Sequence, residues 1–266
     1  METNGVVVRN ENLCNEFYHI EIHSPEVASI VEPGQFVMVG VNRIGGVYDP
    51  LFKRPISIYR INRDSNTFEL LYKVVGTGTK LLSQHRTGDR LSLLGPLGKG
   101  ISFPDHVQKI AVVTRGIGVA PAMAIIDEAV KKKLSVYAFL SSRSESGLLC
   151  RSEIETKAIE TYITTDDESV NCCGNVTMFL EELLKKVSID VVYTCGSKRL
   201  ARHIIELKKQ YGFAGYILLE ERMACGYGAC KGCVCEISSN GDLSSHVEYQ
   251  RVCTDGPVFE IDKVVI

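Results

Sequence analysis

The 266-residue sequence has no apolar run of about 18 residues, the length that a membrane-spanning helix requires. It also has almost no net charge, because 30 Lys and Arg face 32 Asp and Glu. This balance gives no reason to expect a nucleic acid or an anionic membrane surface as a partner. The first ten residues, METNGVVVRN, lack the apolar core of a signal peptide. We therefore expect a cytoplasmic protein that binds neither nucleic acid nor membrane.

Ten cysteines stand out in a chain without a secretory signal. In a reducing compartment they favour metal binding over disulfides. Four of them follow the pattern C-x4-C-x2-C…C, which is the spacing of plant-type [2Fe–2S] clusters. The predicted ligands are Cys225, Cys230, Cys233 and Cys253. Such a cluster moves one electron at a time, so the motif indicates part of an electron path.

The glycines between these cysteines fit the same interpretation. Gly226, Gly228 and Gly232 are expected to let the backbone curl around a metal centre in conformations closed to residues with a Cβ atom. The main alternative is a structural zinc site. Zinc sites favour paired C-x2-C units, whereas here a single Cys253 follows Cys233 after about 20 residues. The spacing therefore favours iron–sulfur over zinc.

The other cysteines are not needed for this site. Most are expected to be small buried hydrophobic residues: Cys14, Cys150, Cys172, Cys173 and Cys195. Cys235 would face the same side as Cys233 in an extended segment, so alternation does not exclude it as a ligand. Because the four-thiolate set is complete without it, Cys235 is predicted to be a bystander.

Two patterns of secondary structure divide the chain, and they predict a multi-domain protein of all-β plus α/β class. Residues 1–102 contain six short β-rich runs separated by turn-forming pieces, which predicts a small antiparallel barrel. The runs are Val6–Arg9, Phe17–His23, Gln35–Val41, Ile56–Ile61, Phe68–Val75 and Arg90–Leu94. Residues 103–218 alternate strands with helices, which predicts a Rossmann-like parallel sheet with helices on both faces. Residues 219–266 are predicted to form a small [2Fe–2S] module.

Two segments of the predicted barrel domain could bind phosphate. The guanidinium of Arg54 in Arg54-Pro55-Ile56-Ser57 can clamp a pyrophosphate, and the Ser57 hydroxyl can bond a polar ring edge. The loop 76–79 leads into a short helix over Lys80–Ser83, where free N–H groups favour an anion. A turn before an edge strand and a plain helix cap are the respective alternatives.

The α/β domain has its own candidate ligand edge. Gly116 and Gly118 lie between the first strand and the first helix, where such sheets bind nucleotides, and both allow close backbone approach. A purely structural strand–helix turn would look alike. Polar residues follow the other strands, and solvated loops are the alternative there. These residues are Ser141-Ser142-Arg143, Thr165-Asp166-Asp167 and Cys195-Gly196-Ser197.

Taken together, these features resemble the ferredoxin-reductase superfamily, and within it the electron-transfer subunits of bacterial, two-subunit, NAD-dependent dihydroorotate dehydrogenases. The resemblance extends over essentially the whole chain. Its most specific segments are Pro33-Gly34-Gln35-Phe36, Arg54-Pro55-Ile56-Ser57, Glu221 to Cys230, and the tail from Arg251 to Phe259.

The resemblance implies an FAD-binding barrel, an NAD-binding domain and the [2Fe–2S] module. Arg54, Pro55, Ile56 and Ser57 would hold the flavin and its phosphates, Leu71, Tyr72 and Lys73 would line its site, and Gly78 and Thr79 would meet the pyrophosphate. Gly116, Gly118, Cys195 and Gly196 would contact NAD(H). The implied partner is an FMN-containing catalytic subunit that converts dihydroorotate to orotate, or a similar flavoprotein. No catalytic residue is expected in this chain, which shows no dedicated general base.

One residue departs from the pattern of the family, which usually has a run of glycines at the first strand–helix turn. Here Thr114 and Arg115 precede Gly116. Arg115 either supplies charge to a nucleotide phosphate or occupies the space of the pyrophosphate. Two other functions therefore stay open. One is a paralogous FAD and [2Fe–2S] subunit that serves another oxidoreductase, such as a sulfide- or ferredoxin-linked complex. The other is a zinc-stabilised nucleotide-binding module without redox function.

Overall fold

The computed structural model describes residues 1–42, 49–170, 175–238 and 247–266. The chain forms two compact units. The first comprises Met1–Ile101, Glu220–Val234 and Arg251–Pro257, and the second comprises Ser102–Leu219, Cys235–Gln250 and Val258–Ile266. The division into three domains, at 102/103 and 218/219, stays a prediction.

Six antiparallel strands form a closed barrel in the first unit, as the sequence predicts. They are β1 (Glu2–Cys14), β2 (Phe17–His23), β3 (Phe36–Val39), β4 (Arg54–Asn62), β5 (Thr67–Lys73) and β6 (Arg90–Leu97). Around the barrel the order is β1-β2-β5-β4-β3-β6. Two short helices interrupt the series, α1 (Pro25–Ala28) and α2 (Thr77–Leu82).

Alternating side chains fill the barrel, because successive residues of a strand point to opposite faces. Ile56 and Ile58 of β4 face the core together with Phe68 and Leu70 of β5. Leu82 at the end of α2 is fully buried in the same core. The intervening residues of β4 and β5 are therefore on the opposite, outer face of the barrel wall.

In its described residues, the second unit has a six-stranded sheet and four α-helices. In chain order its elements are β7 (Lys109–Arg115), α3 (Val119–Lys131), β8 (Ser135–Ser142), α4 (Arg151–Lys157), β9 (Glu160–Thr165), α5 (Val176–Leu184), β10 (Val191–Cys195), α6 (Lys198–Tyr211), β11 (Ala214–Leu218) and, after β12 (Val234–Ser238) and β13 (Val247–Arg251), β14 (Val258–Glu260). The sheet order is β14-β11-β10-β7-β8-β9, and β12 pairs with β13 separately. Only β14 runs antiparallel in the described part of the large sheet.

The strand order reverses between β7 and β10. The chain moves from β7 to β8 and β9 in one direction, whereas β10 and β11 extend the sheet in the other direction. Helix α3 packs with α4, and α5 packs with α6. This is the pairing expected when right-handed crossovers place one pair of helices on each face of the sheet. Such a reversal opens a crevice at the carboxyl ends of the strands, where open α/β sheets bind ligands.

The scattered cysteines follow the sequence expectation only in part. Cys195 is buried, as predicted, at the end of a central strand. Cys14 and Cys150 are only partly buried, so the prediction is wrong for them. Both lie at the edge of an element, Cys14 at the end of β1 and Cys150 at the N-cap of α4, where less of the chain covers them. Cys172 and Cys173 are outside the described residues.

No helix in the described parts of the chain combines the length and apolar character needed to span a bilayer.

Candidate cofactor sites

The four predicted cluster ligands come from two segments of the first unit. We call residues 225–233 the cysteine loop; it contributes three thiols, and Cys253 comes from the tail. The N–H of Val252 donates to the carbonyl of Cys233 at 2.9 Å, which ties the tail to the loop. Cys233 and Cys253 are buried, whereas Cys225 is half-buried and Cys230 is exposed. All four are thiols rather than disulfides.

Two glycines give the cysteine loop its curvature. Gly226 has φ +79° and Gly228 has φ +87°, a region that L-residues rarely adopt. The third glycine does not behave as predicted: the left-handed residue there is Lys231, with φ +55°, instead of Gly232. Gly232 donates its N–H to Sγ of Cys230 at 3.4 Å, so its function is to bring a donor to sulfur.

Backbone N–H groups point at the sulfur atoms of this loop. The N–H of Cys230 lies 3.4 Å from Sγ of Cys225. Burial by itself raises the pKa of Cys225, but N–H groups of Cys230, Tyr227 and Ala229 outweigh it and lower the pKa to about 7. Burial, with the adjacent Cys233 thiol, raises the pKa of Cys253 to about 12. A metal centre deprotonates such a thiol on binding, and donors to sulfur are typical of iron–sulfur sites.

The donor set fits a two-iron cluster. Among the described residues no group of three or more His, Cys, Asp or Glu side chains is arranged around a single ion. The thiols instead form two pairs in side-chain contact, Cys225 with Cys230 and Cys233 with Cys253. In a [2Fe–2S] cluster each iron takes two thiolates, so this pairing suits the predicted group.

Arg54 and Gly78, the two predicted phosphate-binding residues of the barrel domain, lie in contact. A Cβ atom at Gly78 would be 2.3 Å from Nε of Arg54 and 2.7 Å from its Cζ. A side chain at position 78 would therefore push this guanidinium out of its present position. Nη1 of Arg54 donates to the carbonyl of Phe52 at 2.5 Å, which further fixes the guanidinium. The positive charge of Arg54 and the backbone at Gly78 thus lie side by side, which is the arrangement that binding a pyrophosphate requires.

The other predicted flavin residues divide between the two faces of the barrel. Arg54, Pro55, Ser57 and Lys73 are half-buried on strands β4 and β5, while the side chain of Ile56 belongs to the core. Leu71 alternates with the core residues of β5 and is buried. Tyr72 points into the core, where its hydroxyl donates to Oδ1 of Asn10 at 3.0 Å, and burial raises its pKa.

Thr79 makes the contacts of a helix cap. Its Oγ1 accepts from the N–H of Val75 at 2.9 Å and of Gly76 at 3.3 Å. The helix begins at Thr77, three residues earlier than the predicted Lys80, so Gly78 and Thr79 lie inside it. A pyrophosphate contact of Thr79 stays a prediction that must compete with this cap.

In the second unit the glycines of the crevice serve two different purposes. A Cβ atom at Gly118 would lie 2.6 Å from the carbonyl oxygen of Cys195, and one at Gly196 would lie 2.4 Å from that of Arg115. These two glycines therefore let the turns after β7 and β10 touch each other. Gly116, with φ +53°, has no heavy atom within 4 Å of its Cβ position and faces open space. Of the predicted contacts, Gly116 thus leaves most room for a ligand.

Arg115 makes an ion pair across the carboxyl edge of the sheet. Its guanidinium donates to both oxygens of Asp166, at 3.2 Å and 2.5 Å. These hydrogen bonds, aided by the charges of Arg115, Arg199 and Arg143, hold the pKa of Asp166 below its usual range. The edge of the sheet therefore carries three arginines around one carboxylate. We call the turns at 114–118, 141–143, 165–167 and 195–197 the nucleotide edge.

Two neighbours of these sites escaped the sequence analysis. Arg199 lies in the first turn of α6, where a cation interacts unfavourably with the helix dipole. This unfavourable position is visible in the sequence and could have indicated a functional role for Arg199. Thr254 follows Cys253 directly, and its Oγ1 is buried without a hydrogen-bond partner among the described residues. Its position next to a ligand was visible in the sequence, but its burial was not.

Comparison with known proteins agrees with this arrangement. Residues 220–265 match the model of the iron–sulfur cluster binding domain of dihydroorotate dehydrogenase B. The "Dihydroorotate dehydrogenase B (NAD(+)), electron transfer subunit" of Desulforamulus reducens is 37% identical, with 93% of this chain and 92% of that protein covered. The protein of the same name from Enterococcus faecalis is 34% identical over 98% of this chain and 97% of its own length.

Among solved structures, the NADH-dependent reduced ferredoxin-NADP oxidoreductase superposes with a TM-score of 0.83 at 23% identity, covering 98% of this chain and 89% of that chain. A ferredoxin NADP+ reductase from Neisseria gonorrhoeae gives 0.64 at 16% identity, covering 83% and 94%.

The barrel, the parallel sheet and the cysteine motif define an oxidoreductase component with the ferredoxin-reductase fold and an iron–sulfur module. At the next level, the chain belongs to the family of electron transfer subunits of NAD-dependent dihydroorotate dehydrogenase B.

Proposed function

We propose that this chain passes electrons between NAD(H) and the FMN of a dihydroorotate dehydrogenase catalytic subunit. It holds FAD on the barrel and a [2Fe–2S] cluster on Cys225, Cys230, Cys233 and Cys253. Oxidation of dihydroorotate to orotate takes place in the partner, and the chain acts in the cytoplasm in pyrimidine biosynthesis. The proposal rests on family membership together with the arrangement of the first unit.

The observation that carries the proposal is the close packing of the cysteine loop against the barrel. A Cβ atom at Gly226 would lie 2.6 Å from Cγ of Met38 and 3.1 Å from Cδ1 of Leu97, so the loop packs closely on β3 and β6. Met38 is the cross-strand partner of Pro55 in the predicted flavin segment. The cysteine loop thus packs on β3, the strand next to the predicted flavin segment of β4, as an internal electron path requires.

The residues of this unit bind and orient their groups. The Arg54 guanidinium, fixed by the Phe52 carbonyl and packed on Gly78, binds the flavin pyrophosphate. The Ser57 hydroxyl and the outer face of β5 at Leu71 and Lys73 orient the ring. Bound there, flavin and cluster convert between hydride pairs and single electrons, and the protein fixes their positions and tunes their electronics.

A second candidate function is supported by one observation, the Arg115–Asp166 pair. Arg115 stands where the family usually has glycine, and its guanidinium spans the nucleotide edge to Asp166. A chain with the same cofactors that serves another oxidoreductase would also explain this change. The two candidate functions therefore differ in how the chain would bind its nucleotide.

Copurification and reconstitution test the proposal. The chain should be isolated from its native cell with its bound proteins, and its visible spectrum, flavin, iron and sulfide should be measured. We expect flavin and cluster absorption and a bound FMN-containing dihydroorotate dehydrogenase. Mixing the purified chains should give orotate formation that depends on NAD+.

The controls use single substitutions in the same assay. Cys253→Ser should abolish the NAD+-dependent reaction, whereas the catalytic subunit alone should still oxidise dihydroorotate with an artificial acceptor. A different bound flavoprotein would favour the second candidate. A colourless chain with stoichiometric zinc would contradict both redox functions.

A further inference from the structure

Thr254 has a hydroxyl group that is buried in the described structure. Its Oγ1 lacks a hydrogen-bond partner among the described residues and is shielded from solvent. Leaving a buried polar group unsatisfied destabilises a protein. Such a group calls for an explanation, such as a bound group that the hydroxyl meets. Thr254 directly follows the predicted ligand Cys253.

Two acceptors in the same turn already accept hydrogen bonds from other donors. The carboxylate of Asp255 accepts from the N–H of Arg251 at 2.8 Å, from its Nε at 3.1 Å and from its Nη2 at 3.4 Å. The carbonyl of Arg251 accepts from the N–H groups of Thr254 at 3.2 Å and Asp255 at 2.8 Å. The hydroxyl of Thr254 is thus left for a partner outside this turn.

Gly228 places the hydroxyl beside the donors that serve sulfur. A Cβ atom at Gly228 would lie 3.1 Å from Cγ2 and 3.5 Å from Oγ1 of Thr254. The N–H of the same Gly228 donates to the sulfur of Cys253. The Thr254 hydroxyl therefore shares a small volume with a backbone group that already points to a ligand sulfur.

We propose that the Thr254 hydroxyl donates a hydrogen bond to a sulfur atom of the [2Fe–2S] cluster and thereby raises its reduction potential. The inference rests on the proposed function, since it requires the cluster on Cys225, Cys230, Cys233 and Cys253. Reduction adds negative charge to the sulfur atoms, so a donor stabilises the reduced form more than the oxidised form. Thr254 is a positioning residue that tunes the cluster without ligating iron.

The test is an EPR-monitored redox titration of the holoprotein. In Thr254→Val, which keeps the shape and removes the hydroxyl, we expect a lower midpoint potential. At a fixed ambient potential the ratio of reduced to oxidised cluster should fall by up to about tenfold, equivalent to about 59 mV for a one-electron couple. Thr254→Ser keeps the hydroxyl and should restore most of the potential.

Thr161→Val is the matched control. Thr161 lies on β9 of the second unit and also has a buried Oγ1 without a partner in the described structure, so the same chemical change is made away from the cysteines. Its midpoint should equal that of the wild type. Thr254→Ala also removes the hydroxyl and leaves a smaller side chain. It is used if the valine variant does not load a cluster, and it should likewise lower the midpoint potential.

The outcomes separate this inference from the proposed function. A wild-type chain that contains no [2Fe–2S] signal after reconstitution contradicts the proposed function itself. A wild-type cluster whose midpoint is unchanged in Thr254→Val, or in Thr254→Ala, overturns the inference and leaves the function intact. A fall in both hydroxyl-free variants, with recovery in Thr254→Ser, supports it.

Discussion

Gly228 of the cysteine loop and Gly118 and Gly196 of the nucleotide edge have different roles. In the loop, the left-handed Gly228 turns its N–H toward the sulfur of Cys253. At the nucleotide edge, Gly118 and Gly196 let two backbone turns approach each other. The space beside these two glycines is therefore filled by the protein's own backbone. The same residue type thus orients a donor toward a predicted ligand sulfur at Gly228 and allows close packing at Gly118 and Gly196, as it also does at Gly226 of the loop. Glycine spacing by itself does not tell these uses apart.

The largest expected effect is at the cysteine loop. Cys253→Ser should lose or strongly destabilise the cluster while FAD remains bound, because the barrel residues are untouched. Metal analysis and the visible spectrum measure both cofactors at once. Cys235→Ser is the control and should leave the spectrum nearly unchanged; loss of the cluster there would show that the four-ligand assignment is wrong.

The contact between Gly78 and Arg54 provides the next test. In Gly78→Ala the added methyl would meet the guanidinium at 2.3 Å and displace it, so the dissociation constant for FAD should rise about tenfold to a hundredfold. Flavin release into a filtrate, followed by fluorescence, measures it.

Gly76→Ala is the matched control, because no heavy atom lies within 4 Å of its Cβ position. Equal flavin loss in Gly76→Ala and Gly78→Ala would mean that the Arg54 contact is irrelevant to binding.

At the nucleotide edge, Gly118→Ala tests the packing use of glycine directly. The new Cβ atom would meet the carbonyl of Cys195 at 2.6 Å, and we expect the free energy of unfolding to fall by about 1–3 kcal/mol. Denaturant unfolding of the second unit, with the cofactors present, gives the value. Gly116→Ala, with open space at its Cβ position, should cost only the left-handed backbone strain, about 1–2 kcal/mol. Undiminished stability in Gly118→Ala would contradict the packing role.

The smallest expected effect is at Arg115. Because Gly116 still faces open space, we expect Arg115 to supply charge to a nucleotide phosphate, so Arg115→Gln should raise KM for NADH by about three- to tenfold with kcat little changed. Steady-state reduction of an artificial acceptor measures both constants. Arg151→Gln, which removes an exposed arginine of α4, should change neither. A fall in KM would instead mean that Arg115 occupies the phosphate space.

The sequence predicts the fold well because alternation and turn residues are local signals. The six barrel strands follow directly from such patterns. Boundaries were less predictable: α2 begins at Thr77 because Thr79 caps it through Val75 and Gly76, a hydrogen-bond choice that composition does not show.

The candidate sites were predictable to different degrees. Cysteine spacing predicts a ligand set, since few alternatives place four thiols in this pattern. The Arg115–Asp166 pair joins residues 51 positions apart, and the buried state of the Thr254 hydroxyl depends on the fold of the tail. Neither has a local signal in the sequence, so only the three-dimensional structure reveals them.

One measurement tests the central claim most directly: an anaerobic addition of NADH to the isolated, reconstituted chain, followed by optical and EPR spectroscopy. The account predicts bleaching of the flavin and appearance of the EPR signal of a reduced [2Fe–2S] cluster, with bleaching alone in Cys253→Ser. A bleached flavin without any cluster signal, in a chain that contains iron and sulfide in full amount, would contradict the proposed electron path.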